Sequence, residues 1–286
     1  THKVAMIGIT VVDLIVDKRW EDLPEWLREK LIQNSLVVEG DIPGTVDEKG
    51  RLIERFLNEV LTPAERDRLF GELMGGGPAY NAARVFGQVT SQGRSRSRLV
   101  SSANEDSITA AVLRPGLGGT SVKVDASAIY SSDRPTAKTL VLEHGTSGNR
   151  SFLHNVGASA DLNAASIRKA VEAGIFDNVE VIEFGGIELS GLMDGLEEAI
   201  KAIREREKVT GRRFTIVLDT FVDPAHKWKT LFKDTDYAVL KEIDILITNT
   251  DVNEGGQIYI DAVSRTEDDA IYRRNYYTPD DMIRFF

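Results

Sequence analysis

The feature that most constrains the fold is the regular alternation of strand-like and helix-like segments in the second half of the chain. A helical pattern over 163–173 precedes an apolar, β-prone run at 179–184. A long helical pattern over 192–208 precedes a second such run at 214–218, and a further helical stretch leads to a third at 243–248. Strands that are apolar throughout are buried on both faces. Strands joined by helices of this length pair in parallel through right-handed crossovers. The alternation therefore predicts an α/β chain with a central, mostly parallel sheet flanked by helices. Each run ends in glycine or polar residues, namely Gly185-Gly186, Asp219-Thr220 and Asn249-Thr250-Asp251. That carboxyl edge is where open α/β sheets bind their ligands.

The amino-terminal segment over 4–10 reads as another buried strand. It runs on through Val11-Val12-Asp13-Leu14-Ile15-Val16-Asp17, which places the acid Asp13 at a strand end. Its carboxylate serves either a ligand or a turn. The run Met74-Gly75-Gly76-Gly77-Pro78-Ala79-Tyr80-Asn81 predicts a glycine turn that opens a helix over 79–89. Glycines there allow positive φ and close approach of backbone to a ligand, and the free N–H groups of the helix start favour an oxygen-rich or anionic group. Tyr80 and Asn81 fit packing and capping roles equally well.

Composition narrows the functions. The chain of 286 residues is long enough for one large α/β domain. It holds no cysteine, which excludes disulfides, thiolate metal sites and a cysteine nucleophile. A net charge of −10 disfavours nucleic acid and anionic membranes as partners. The short basic run Gln92-Gly93-Arg94-Ser95-Arg96-Ser97-Arg98 lacks interleaved aromatics and reads as a solvated loop before a strand over 98–102. No apolar stretch reaches the roughly 18 residues needed to span a bilayer. The four histidines show no metal-ligand spacing, and the glycine run lacks the Gly-x-Gly-x-x-Gly spacing after a strand that a dinucleotide-binding turn needs.

Residues 21–73 read as a strongly charged helical insertion forming a solvated outer layer, with helices over 25–32, 48–61 and 64–73 and a turn at Gly40-Asp41-Ile42-Pro43-Gly44. Thr62-Pro63-Ala64-Glu65 has the pattern of a capped helix start. Residues 107–113 read as a helix. Residues 121–154 read as short strands at 122–124, 136–142 and 150–154, the last two joined by a hairpin-like turn at 144–149. Thr278-Pro279-Asp280-Asp281 starts a helix that runs only about two turns to Phe286, so a chain truncated at its carboxyl end is expected.

Taken in order, these pieces resemble the ribokinase-like (PfkB) family of carbohydrate and nucleoside kinases, and the long helical segment before the glycine run is closer to its adenosine-kinase branch. Gly8-Ile9-Thr10-Val11-Val12-Asp13 is similar to the family's first strand and its sugar-binding acid. Gly76-Gly77-Pro78-Ala79-Tyr80-Asn81-Ala82-Ala83 resembles its Gly-Gly-x-x-x-Asn signature. Gly148-Asn149-Arg150-Ser151-Phe152 resembles a strand pair before the main sheet, and Asp219 with Pro224 and Trp228 the strand-Asp-Pro-Trp segment. The resemblance implies a single ribokinase-like domain over 1–286 with a small β lid within 11–17 and 121–154. It implies a cytoplasmic enzyme that uses ATP and Mg2+ to phosphorylate a hydroxymethyl group of a sugar or nucleoside, and a homodimer through the lid.

The same resemblance implies that Asp13, Gly76, Gly77 and Asn81 hold the substrate. For the family's Asn-x-x-Glu magnesium and phosphate motif it points to Asn249, Asp251 and Glu254. Asp251 and Glu254 have the motif's spacing with Asp in place of Asn. The family's catalytic Asp lies in a Gly-Ala-Gly-Asp turn, and no such run occurs in this sequence. A non-catalytic homologue that binds a sugar or nucleoside is the alternative expectation.

Overall fold

The structure, a computed structural model, describes residues 2–33, 45–46, 50–90, 96–106, 108–118, 124–143, 150–220, 231 and 238–248. Among the described residues, the strands in chain order are β1 (His2–Gly8), β2 (Val11–Asp17), β3 (Thr45–Val46), β4 (Met74–Gly76), β5 (Arg96–Ala103), β6 (Val124–Ser131), β7 (Lys138–Glu143), β8 (Arg150–Asn155), β9 (Val181–Gly185), β10 (Thr215–Thr220) and β11 (Ile245–Thr248). The principal helices are α1 (Glu25–Gln33), α2 (Arg51–Glu59), α3 (Pro63–Gly71), α4 (Pro78–Val89), α5 (Arg114–Leu117), α6 (Ala164–Glu172) and α7 (Leu196–Thr210). A π-helical turn, Thr109–Leu113, runs directly into α5, where the sequence had predicted an ordinary helix.

Six strands form a wholly parallel sheet in the order β11-β10-β9-β1-β5-β6. The strand and helix alternation thus folds as its pattern predicts. Alternate residues of the strands serve two cores. Ala5, Ile7, Ile182, Phe184, Ile216 and Leu218 face α6 and α7, where Ile167, Leu196, Ile200 and Ile203 meet them. Val4, Met6 and Leu99 face the other way, against Tyr80 and Ala83 of α4 and Leu113 and Leu117 beyond it. Burial on both faces explains why the central strands are mostly apolar.

The second sheet, β3-β8-β7-β2-β4, is mixed. β2 runs parallel to β7 and antiparallel to β4, and β7 and β8 are antiparallel. The run that reads in sequence as one long strand breaks at Ile9-Thr10: β1 stays in the first sheet and β2 enters the second. The glycine run is likewise part strand, because Gly76 and Gly75 pair with Val11 and Val12 before the turn at Gly77. Of the strands expected within 121–154, the first lies at Val124–Ser131 and extends the main sheet, while only β7 and β8 join β2.

The described helices of the charged segment over 21–73 are packed, which corrects the expectation of a solvated layer. Leu23, Leu27, Leu31, Ile53, Phe56, Leu61 and Leu69 are buried against Leu14, Val16, Leu140, Leu142 and Leu153 of the second sheet. Apolar residues at helical spacing turn inward, and the many charges take the outer face. The cap of α3 forms as its sequence predicts: Thr62 accepts from the Glu65 amide, and Glu65 accepts from the Thr62 amide at 2.8 Å. The turn expected at 40–44 and the hairpin loop at 144–149 lie outside the described residues.

On the opposite face of the second sheet, cross-strand pairing sets Asp13 beside Thr139 and Thr139 beside His154. His154 is buried; its Nδ1 lies 3.0 Å from Thr139 Oγ1, and its ring stacks on Phe152. Burial lowers its pKa from 6.5 to about 4. The folded chain therefore keeps His154 neutral where the unfolded chain binds a proton, so stability is full above about pH 6.5 and falls as the pH drops toward 4. Urea unfolding at pH 7 and pH 5 should show the wild type losing about 2 kcal/mol more than His154→Gln. Equal losses would rule out His154 as the source of acid lability.

Candidate functional site

The strand order reverses beside β1. From β1 the chain builds outward through β5 and β6 on one side, then through β9, β10 and β11 on the other. Such a reversal opens a crevice at the carboxyl ends of the central strands. In this protein the start of α4 closes in on that crevice, and glycines make the approach possible. A Cβ on Gly8 would overlap the Gly185 carbonyl and crowd Ala79, and one on Gly186 would crowd the ring of Pro78. Gly77, the residue before the helix, has φ of +97° and its Cα faces the Ile9 carbonyl, a conformation and a clearance that suit glycine alone.

Asp13 stands over this junction. It is the third residue of β2, opposite Met74 of β4, and its carboxylate lies against the Cα of Gly76, where a side chain would overlap Oδ2. No described residue donates a hydrogen bond to it. Burial alone raises its pKa from 3.8 to about 6. A half-buried carboxylate without a donor is costly to the apo chain and is ready to accept hydrogen bonds from a ligand. The structure thus brings together Asp13, Gly76 and Gly77. Asn81 lies one turn into α4, where its amide donates to the Gly77 carbonyl at 2.9 Å and its residue is exposed to solvent. Asn249, Asp251 and Glu254 lie outside the described residues, as do Pro224 and Trp228.

Two further carboxylates occupy the same edge of the main sheet. Glu183, within β9, pairs with Met6 on one side and Val217 on the other, and so points to the α4 face. Asp219, the residue before the end of β10, pairs with Gly185. Burial raises the pKa of both, and the charge of Asp219 raises that of Glu183 further. The sequence carried a signal for Glu183 that went unread: an acid inside the apolar run Val181-Ile182-Glu183-Phe184 has no place in a buried strand unless it faces a site or a partner. Among the described residues, no group of three or more His, Asp or Glu is arranged to hold a metal ion. None of the helices among them is long and apolar enough to cross a membrane.

No protein-family model matches the chain, and no curated protein matches it. Solved structures do. The chain is similar to adenosine kinase from Anopheles gambiae in complex with P1,P4-di(adenosine-5) tetraphosphate, with a TM-score of 0.61 and 16% identity over 91% of this chain and 69% of that one. It is similar to adenosine kinase from Schistosoma mansoni in complex with 2-fluoroadenosine, with a TM-score of 0.58 and 15% identity over 85% of this chain and 61% of that one. It is similar to Arabidopsis thaliana ribokinase complexed with ribose and ATP, with a TM-score of 0.50 and 14% identity over 93% of this chain and 65% of that one. The chain spans about two thirds of the length of these proteins. The likeness shows that the fold is ribokinase-like, as the ordered motifs of the sequence imply.

The buried carboxylate has a measurable consequence. Because the folded pKa of Asp13 lies above its unfolded value, its contribution favours folding below about pH 3.8 and is lost as the pH rises through 6. Asp13→Asn should therefore be more stable than the wild type at pH 7.5, by about 1–2 kcal/mol after allowing for partial hydration, with the gap closing toward pH 4. Urea midpoints across this range check it. A destabilised variant at pH 7.5 would show that Asp13 is held by structural partners.

Proposed function

We propose that this chain, which has the ribokinase-like fold, binds the hydroxyl groups of a sugar or nucleoside at Asp13, Gly76 and Gly77. We further propose that the protein to which it belongs transfers the γ-phosphoryl group of ATP to a hydroxymethyl group of that ligand. One observation carries the reading. A carboxylate that no described residue neutralises stands against bare glycine backbone at the carboxyl-edge crevice of a parallel sheet. Two neighbouring hydroxyls of a ribose-like ring fit such a carboxylate, which accepts both of their protons. Glycine lets the ring approach the backbone, and a site so built rejects analogues that lack the hydroxyls, since Asp13 would stay unpaired. Asn81, with a donor and an acceptor, extends the polar contact along the first turn of α4.

ATP would supply the phosphoryl group and Mg2+ would neutralise its charge. The described residues fit the acceptor half of such a reaction. Their part is to bind and orient the hydroxyls and, through the second sheet, to screen the site from water. The residues read as phosphate and magnesium partners, Asn249, Asp251 and Glu254, belong to the part of the chain that is not described. Ribose in one similar structure and 2-fluoroadenosine in another support a ligand with a ribose-type ring.

Isothermal titration with ribose and with adenosine tests the reading. Binding of at least one is expected, with affinity reduced about tenfold or more by Asp13→Ala, by Gly76→Ala, whose methyl would displace the carboxylate, and by Asn81→Ala. Affinity for the wild type should fall as the pH drops below about 6, where Asp13 takes up a proton and no longer accepts both hydroxyls. A bound ligand whose affinity none of these changes alters would place the site elsewhere. Transfer of labelled phosphate from ATP to the bound compound then separates a kinase from a binding protein.

A further inference from the structure

The second sheet carries Asp13, and among the described residues two crossings from the first sheet to the second run without an intervening helix. One is Ile9-Thr10, between β1 and β2. The other is the segment between β6 and β7, which includes Thr136. β2 and β7 lie side by side, and the Val12 amide donates to the Ala137 carbonyl at 2.9 Å, so the two connections emerge together. Both are gripped by one stretch of chain at the end of β5. Thr10 is buried and its Oγ1 donates to the Ser102 carbonyl at 3.4 Å, while the Ser101 hydroxyl donates to Thr10 Oγ1 at 3.2 Å.

Thr136 is held more firmly. Asp106 Oδ2 accepts from the Thr136 amide at 3.2 Å and from its hydroxyl at 2.7 Å, and Thr136 Oγ1 lies 2.7 Å from Thr109 Oγ1. Thr136 is fully buried, and its contact with the Thr109 hydroxyl lies inside the protein. The other oxygen of Asp106 accepts from the Thr109 amide at 2.9 Å, an ordinary helix-start contact. One carboxylate thus does two separable things: Oδ1 caps the π-helical turn, and Oδ2 clamps the connection to the second sheet.

We propose that Asp106 is a positioning residue, which by clamping Thr136 fixes the second sheet on the first and so sets where Asp13, with its β4 neighbour Gly76, stands relative to the carboxyl ends of β1 and β9. Neither Asp106 nor Thr136 touches the crevice glycines, so the effect passes through the β7–β2 pairing of Thr139 with Asp13. The inference rests on Asp13 being the site-facing carboxylate of the second sheet. It needs no ligand to be tested, so a failure of the sugar-binding reading leaves it standing and its own failure leaves that reading untouched.

Asp106→Asn isolates the clamp: the amide oxygen keeps the cap on Thr109, and the amide nitrogen cannot accept from the Thr136 N–H. Thr136→Val removes the hydroxyl contacts from the other side, and Thr136→Ser keeps them. In the uninhibited, ligand-free chain, native-state hydrogen exchange should quicken about tenfold or more at β2 and β7 in Asp106→Asn and Thr136→Val, and stay within about twofold of wild type at β1, β9 and β10. Thr136→Ser should behave as wild type. Carbon-detected NMR titration should show the Asp13 carboxyl, which titrates near 6 in the wild type, shifted toward 3.8 in the two loosened variants as water reaches it. Equal quickening in both sheets, unchanged exchange, or quickened exchange with an unmoved Asp13 titration would each overturn the proposal.

Discussion

The structure depends on how closely the start of α4 approaches the carboxyl ends of β1 and β9. Gly8, Gly77, Gly185 and Gly186 carry no side chain, and at Gly8, Gly77 and Gly186 an added Cβ would meet backbone or a rigid ring. A parallel sheet needs a helix over its face, and ordinary side chains hold that helix several ångströms off the strand ends. Here the glycines let backbone meet backbone. The crevice that a strand-order reversal opens is thereby floored by peptide groups and by the first turn of a helix. The Asp13 carboxylate is brought to this crevice by the pairing of β2 with β4, the strand that leads into the same helix start.

The second constraint is topological. Asp13 and Gly76 lie on the second sheet while Gly8 and Gly185 end strands of the first, so the crevice keeps its shape only while the two sheets keep their relation. Two short connections between them each carry a buried hydroxyl, Thr10 and Thr136, tied to the segment at and just beyond the end of β5. Buried hydroxyls are costly unless bonded. Bonded as they are here, they favour one arrangement of the sheets, because other arrangements leave polar groups unpaired. The helices over 21–73 reinforce it from outside by filling the far face of the second sheet with leucine, isoleucine and phenylalanine.

Charge is distributed to the same end. Asp13, Glu183 and Asp219 are all held above the ordinary carboxylate range by burial, and all sit near the carboxyl edge of the first sheet or above it. Asp106, by contrast, is held below it by the donors of Thr109 and Thr136, although its own burial opposes them. The carboxylate that acts as a structural clamp is satisfied within the chain. Those at the crevice edge have no hydrogen-bond donor among the described residues, which is how a folded protein sets apart groups meant for a ligand.

Much of this was legible in the sequence. Apolar runs alternating with helical periodicity dictated a parallel sheet, since a strand without polar residues has no exposed face. Thr62-Pro63-Ala64-Glu65 specified a helix start through local bonds alone, and the glycine run marked the close approach. Other features were not legible, because they depend on which distant segments meet. One continuous apolar run became β1 and β2 in different sheets, since pairing partners far along the chain claimed its two halves. The charged helices buried a full inner face because the second sheet needed cover. Asp106 reads as a loop acid until Thr136, 30 residues on, is brought against it. Local patterns fix which elements form, because backbone sterics and hydrophobic period act over a few residues. Tertiary structure alone decided that Asp13 should stand over Gly76 with no donor among the described residues, because only packing removes water from one carboxylate and leaves a crevice beside it.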